Sequence, residues 1–87
     1  MKYVTVWTIP TDNFAATVKR FKEADPKFQN VRIIARLHEM GTGRGFTFWE
    51  ADDPVEAARY TLAWADLIDL EVHPVVDDAT IAKALAG

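Results

Sequence analysis

Val31-Arg32-Ile33-Ile34-Ala35-Arg36-Leu37-His38, then Glu39-Met40, the run Gly41-Thr42-Gly43-Arg44-Gly45, and finally Phe46-Thr47-Phe48-Trp49-Glu50-Ala51, reads as a β-hairpin. Successive side chains of a strand point to opposite faces. The first arm therefore sorts into Val31, Ile33, Ala35 and Leu37 on one side and Arg32, Ile34, Arg36 and His38 on the other. One face of the sheet is apolar and the other carries ionisable groups. Gly41, Gly43 and Gly45 can supply the positive φ that tight hairpin connections need. In the second arm, Phe46 and Phe48 placed against the helices continue the apolar row. Thr47 and Trp49 then join Arg36 and His38 on the face away from the helices, in a register that a one-residue slip would invert.

Working outward, Lys2 to Ile9 alternates Val4 and Val6 against Tyr3, Thr5 and Trp7, a β-rich run closed by Pro10. Thr11 or Asp12 can cap a helix whose apolar positions are Phe14, Val18 and Phe21, and Asp25-Pro26 stops it. Beyond the hairpin, Asp53-Pro54-Val55-Glu56 combines an N-cap acid, proline at the first helical position and a glutamate three residues after the cap. That helix carries Ala58, Leu62 and Ala65, widened by Ala57 and Trp64, and is expected to end near Asp66 to Asp69. Leu70 to Val76 is a fourth strand, with Val72 and Val76 opposed to Glu71, His73 and Val75. Pro74 marks it as an edge or a bulge. Asp77-Asp78 can cap a short last helix carrying Ile81 and Leu85. The order β-α-β-β-α-β plus a helix predicts an α+β, ferredoxin-like domain over residues 1–87, with a four-stranded antiparallel sheet and two helices on one face. The uncovered face is expected to carry Tyr3, Trp7, Ile34, Trp49 and Val75, a surface that a second copy would cover in a face-to-face dimer with a barrel-like interior.

The bulk composition narrows the classes. Eighty-seven residues, 49% of them hydrophobic and 26% charged, make one small globular domain. There is no cysteine, hence no disulfide, thiolate metal site or cysteine nucleophile, and oligomerisation is left as the stabilising device. A net charge of −3 with scattered basic residues argues against nucleic acid and anionic membranes. No apolar run approaches the ~20 residues that span a bilayer, and no leader pattern opens the chain, so a cytoplasmic location is expected.

Val-Thr-Val-Trp-Thr-Ile-Pro at 4–10, Ala-Arg-Leu-His-Glu-Met-Gly at 35–41, Gly-Arg-Gly-Phe at 43–46, Glu-Ala-Asp-Asp-Pro at 50–54 and Trp-Ala-Asp-Leu-Ile-Asp-Leu-Glu-Val at 64–72 together resemble a family of small bacterial proteins of unassigned function. That family looks like part of the dimeric α/β-barrel superfamily. Its members commonly read Gly-Arg-Trp-His before the glycine turn. Arg36 and His38 match that pattern, while Ala35 and Leu37 depart from it. The wider superfamily includes cofactor-independent monooxygenases, haem-degrading enzymes, muconolactone isomerases, polyketide cyclases and proteins without catalysis. The resemblance therefore implies a fold and a homodimer, and leaves the reaction open.

The polar face then gathers Thr5, Trp7, Arg36, His38, Thr47, Trp49, Glu71 and His73. His38 is the candidate general acid or base, because imidazole titrates near neutral pH. Arg36, two residues away, can hold a carboxylate, enolate or phenolate oxygen with its fork of donors. Trp7 and Trp49 can sandwich a planar ligand, with Thr5, Thr47, Glu71 and His73 completing the site. Glu71 can orient His73 or pair with Arg36. No cofactor is implied. His38, His73 and Glu71 are the ligand types of a facial triad, but their spacing supports neither that nor a haem ligand, and no metal is assigned. Gly41 to Gly45 joins two strands and lacks the Lys-Ser/Thr ending of a phosphate loop. Two readings follow. The first is a homodimer binding a small aromatic or anionic ligand, with cofactor-independent monooxygenase- or cyclase-like chemistry at His38 and Arg36. The other is a non-catalytic dimerisation or ligand-binding module in which those residues are structural. A cavity of ~300 Å³ or more containing His38 would favour the first.

Overall fold

The computed structural model describes residues 1–24 and 28–87, and the expected helix stop at Asp25-Pro26 lies outside them. The chain forms β1 (Lys2–Thr8), a single 3₁₀ turn (Thr11–Asn13), α1 (Phe14–Ala24), β2 (Val31–His38), β3 (Arg44–Ala51), α2 (Pro54–Leu62), β4 (Asp69–Val75) and α3 (Asp78–Ala86). The strands make one antiparallel sheet in the order β2-β3-β1-β4, an α+β architecture.

The helix starts follow local chemistry in two of three cases. Asp53 accepts from the Glu56 amide at 2.9 Å, with Pro54 opening α2, and Asp77 accepts from the Thr80 amide at 2.9 Å to start α3. These side chains satisfy amides that the first helical turn leaves without partners. At α1 neither Thr11 nor Asp12 caps. The chain enters through the 3₁₀ turn, closed by the Asn13 amide donating to the Pro10 carbonyl at 2.9 Å, without a side-chain cap. α2 is shorter than expected, ending at Leu62. The next carbonyls are drawn toward α1, with Arg20 donating to Ala63 O at 3.0 Å and Asn13 Nδ2 to Leu67 O at 2.8 Å.

Register decides the faces. Directly paired residues of antiparallel strands project to the same side. Tyr3, Thr5 and Trp7 therefore share a face with Trp49, Thr47 and Gly45 of β3 and with Pro74, Val72 and Leu70 of β4. This is the face that α1 and α2 cover. Trp49 is fully buried and forms the core with Ala51, Ala57 and Tyr60. Tyr3 stacks on it at 4.5 Å between ring centroids, and Tyr60 of α2 meets it edge-on at 4.8 Å. The expectation for β1 and β3 is thereby reversed. Tyr3, Thr5, Trp7, Thr47 and Trp49 lie beneath the helices, while Val4, Val6, Phe46 and Phe48 lie on the open face. The physical reason is the tryptophans, whose large rings gain most from burial and whose N–H needs an acceptor there. Both find one across the sheet. Trp49 Nε1 donates to Thr5 Oγ1 at 2.8 Å and Trp7 Nε1 to Thr47 Oγ1 at 3.0 Å.

β2 breaks its alternation midway. Ile33 pairs with Trp49 and Ala35 with Phe48, so Ile34 is an extra residue, a β-bulge. Val31 and Ile33 lie with Trp49 on the covered face. After the bulge Ala35 and Leu37 turn to the open face, and Arg36 and His38 to the covered one. The expected grouping of Val31, Ile33, Ala35 and Leu37 is thus split, and Leu37, expected against the helices, is 59% exposed. Of the hairpin glycines, only Gly43 has positive φ, at 70°, and its carbonyl accepts from the Ile9 amide at 2.8 Å.

The α2 stripe is also shifted from expectation. Ala57, Tyr60 and, beyond the helix, Trp64 are buried, whereas Ala58, Leu62 and Ala65 are exposed. The bulky rings again take the inner positions. α3 stands off the body, with every residue exposed and its cap Asp77 3.5 Å from Lys2 Nζ.

Candidate functional site

The layer between sheet and helices is packed at one end and hollow at the other. Under α2 it is filled by Trp49, Tyr60 and Ala57. Under α1 it holds a cavity of about 210 Å³. α2 rests on β3 and β2, while α1 meets the sheet through side chains across a gap.

The floor consists of two rows across the strands. Arg36, Thr47 and Thr5 are successive partners on β2, β3 and β1, and His38, Gly45, Trp7 and Leu70 form the next row. The second row depends on Gly45. A Cβ there would collide with the Trp7 ring and the Leu37 carbonyl oxygen, so the bare backbone lets the indole lie over β3 with its N–H on Thr47. Trp7 then meets His38 edge-on at 5.0 Å. Phe14, Val18 and Phe21 of α1 form the roof, with Trp64 and Ile68 beyond α2. Arg20 fastens it, donating to both Asp66 carboxylate oxygens at 2.7 Å while lying 5.6 Å above the Trp64 ring. Hydrogen bonding to Arg20 holds the Asp66 carboxyl below its ordinary range.

The cavity wall is mostly apolar, and most of its polar oxygens are engaged. Thr17 and Thr61 donate to the carbonyls of Asn13 and Ala57 one turn back, at 2.8 and 3.0 Å. Arg36 differs from the other lining groups. Its half-buried guanidinium lies 5.2 Å over the Phe21 ring and donates to Tyr60 Oη at 3.4 Å, and among the described residues no carboxylate pairs with it. Arg20, Arg32 and Arg59 each have a carboxylate partner. Arg44 has none among the described residues, but it is exposed on the hairpin, where water solvates it. His38 stands exposed at the end of its row.

Of the eight residues singled out from the sequence, Thr5, Trp7, Arg36, His38 and Thr47 come together at the cavity. Trp49 does not line it, being buried in the core beside it, so no tryptophan sandwich forms. Glu71 and His73 lie on the opposite face, paired with Val6 and Val4 and 3.4 Å from each other. Glu71 thus meets His73, but it cannot reach Arg36 through the sheet. The same separation keeps His38, His73 and Glu71 from converging on one ion, and no cluster of three metal-ligating side chains occurs among the described residues. Tyr60, Thr61 and Trp64 were missed as lining residues. The signal available was the i, i+4 pair of aromatics Tyr60 and Trp64, running on from α2, with Thr61 beside Tyr60.

Fold and site together define a small α+β protein with an antiparallel sheet and a cation-bearing apolar cavity beneath its helices. The chain belongs to the family described as Domain of unknown function (DUF3303), which matches residues 1–87. No curated protein and no solved structure matches it. No helix among the described residues is long and apolar enough to cross a membrane.

Proposed function

We propose that this protein is a ferredoxin-like, small-ligand-binding homodimer that takes a planar, single-ring anion into the cavity under α1. The observation that carries the reading is Arg36, a half-buried cation in an apolar cavity with no carboxylate partner among the described residues. Removing a guanidinium from water is costly unless an anion or other acceptors compensate, and its planar fork suits a carboxylate or phenolate. The volume of about 210 Å³ is below the ~300 Å³ of ordinary ligand pockets. It exceeds the ~150 Å³ that admits benzene, which favours one ring over two. With an anion on Arg36, His38 in the adjoining row can give or take a proton, the step a cofactor-independent monooxygenase- or cyclase-like reaction requires. A bacterial, cytoplasmic setting belongs to the same proposal.

The homodimer rests on the open face. Val4, Val6, Ala35, Leu37, Phe46 and Phe48 form an apolar field there, with Phe48 40% exposed, bordered by Arg32, Glu50, Glu71 and His73. A two-fold pairing of such fields, sheet against sheet, buries them in a barrel-like interior. The ligand site of this reading lies on the other side of each sheet.

The competing reading, a non-catalytic module, is favoured by the contacts of Arg36 with Phe21 and Tyr60, which could be its whole purpose. Titration of ¹⁵N-labelled protein with benzoate, followed by NMR, separates the two. Saturable shifts confined to cavity residues are expected, with affinity falling about tenfold or more in Arg36→Gln, the loss of ~1.4 kcal/mol or more. Binding that is unchanged in Arg36→Gln would remove the anion site.

A further inference from the structure

Thr5 and Thr47 face each other on β1 and β3, line the cavity and are only 6% and 3% exposed. Each hydroxyl oxygen already accepts an indole N–H, from Trp49 and Trp7 respectively. A hydroxyl also has one proton to donate. Among the described residues nothing accepts either proton. Buried donors are rarely left so, and two of them side by side call for an acceptor from outside the chain.

We propose that Thr5 and Thr47 form a paired donor site for a second oxygen of the ligand, a carbonyl or oxyanion oxygen held beside the anionic group on Arg36. This rests on the reading of the cavity as a ligand site and adds to it the class of compound: an aromatic acid with an acceptor oxygen near its carboxylate. The indoles make the pair effective. A hydroxyl that accepts a hydrogen bond becomes a stronger donor, so each chain runs from indole N–H through the threonine to the ligand oxygen. The accepted bonds also restrict how each hydroxyl can turn, so its orientation is partly set before the ligand arrives. Position supports the same assignment. Arg36, Thr47 and Thr5 are neighbours in one row, strands being ~4.8 Å apart, so donors for two oxygens of one planar molecule lie across adjacent strands. The hydroxyls of Thr17 and Thr61, in contrast, are spent on their own helices.

The test compares benzoate with phenylglyoxylate, which adds one carbonyl oxygen between ring and carboxylate and brings no donor. In the unmodified protein phenylglyoxylate is expected to bind about tenfold or more tightly, the scale of one to two net hydrogen bonds. Its carbonyl should also shift the Trp7 and Trp49 indole N–H resonances, which benzoate moves less. Thr5→Val and Thr47→Val should narrow the preference toward parity, and Thr47→Ser, which keeps the hydroxyl, should restore it. Benzoate binding that depends on Arg36 with no preference for phenylglyoxylate would overturn the paired donor site and leave the anion site standing. If neither compound perturbs the cavity, both fall. Because the first comparison uses the unmodified protein, it decides between these outcomes even if a valine variant fails to fold.

Discussion

The two faces of this sheet differ in a way opposite to simple polarity. Around its centre the covered face holds arginine, histidine, threonine and tryptophan, while the centre of the open face holds valine, leucine and phenylalanine, with Arg32, Glu50, Glu71 and His73 at its border. Polar residues can lie inside when their bonds are made there. Thr5 and Thr47 are buried because indoles bond them, and both tryptophans are buried because threonines accept from them. On the open face Phe46 meets the Arg44 guanidinium of its own strand at 5.4 Å and Phe48 stands 40% exposed, with no buried hydrogen-bonded pair beside them among the described residues. Whether a side chain is buried depends on which bonds and volumes meet the covering helices, more than on its own hydropathy.

Neighbouring residues give the sharpest test of that contrast. Trp49→Ala empties the core and is expected to destabilise the chain by about 4 kcal/mol in urea denaturation, within the range for such truncations. Phe48→Glu, one residue away on the open face, should leave monomer stability within about 1 kcal/mol and instead abolish the proposed dimer in sedimentation velocity. If the two variants unfold alike, the distinction between the faces fails. A smaller effect is expected at Gly45. Gly45→Ala should cost about 1–3 kcal/mol by overpacking the Trp7 seat and displace the Trp7 indole N–H resonance from its position on Thr47. An unshifted resonance would mean that the bare backbone at Gly45 is not what seats the ring.

The smallest effect lies outside both faces, at the start of α3. The Thr80 amide, and then the Thr80 hydroxyl, hold the Asp77 carboxyl below its ordinary range. A depressed folded pKa means that the contribution is present above the unfolded value and is lost as pH falls through the folded one. α3 should therefore fray on acidification below about pH 4, seen as a loss of amide protection from Thr80 onward. Asp77→Asn, which can still cap, should make that loss less dependent on pH. Fraying with the same acid dependence in Asp77→Asn would assign it to another group.

Much of the scaffold was legible because its signals are local. Asp53-Pro54 and Asp77 start helices where expected, the hairpin runs through its glycines, and all four strands fall within a residue or two of their predicted spans. The association of Thr5, Trp7, Arg36, His38 and Thr47 was legible too, since alternation and antiparallel pairing depend on parity. What alternation lacks is a label for which side the helices cover. The spacing Thr5-x-Trp7 opposite Thr47-x-Trp49 held that information, because only a buried indole needs the hydroxyl across the strand. Glu71 and His73 were placed correctly within β4, away from the helices. They were wrongly joined to Arg36 because the faces of the other strands were reversed. Leu62 and Tyr60 show the same limit on a helix, where ring volume outweighed the aliphatic stripe.

Ile34 touches none of this chemistry, yet it acts as a phase switch along β2. Ahead of it the strand supplies hydrocarbon to the core through Val31, and behind it a cation and an imidazole to the cavity. Were β2 to keep its length and run regularly from Ile33 onward, Arg36 and His38 would fall on the other side of the sheet; deleting Ile34 would instead straighten the strand and leave Arg36 opposite Thr47 and His38 opposite Gly45. Which face such a strand offers to a site can therefore be set by one bulged residue, with no substitution at the site itself.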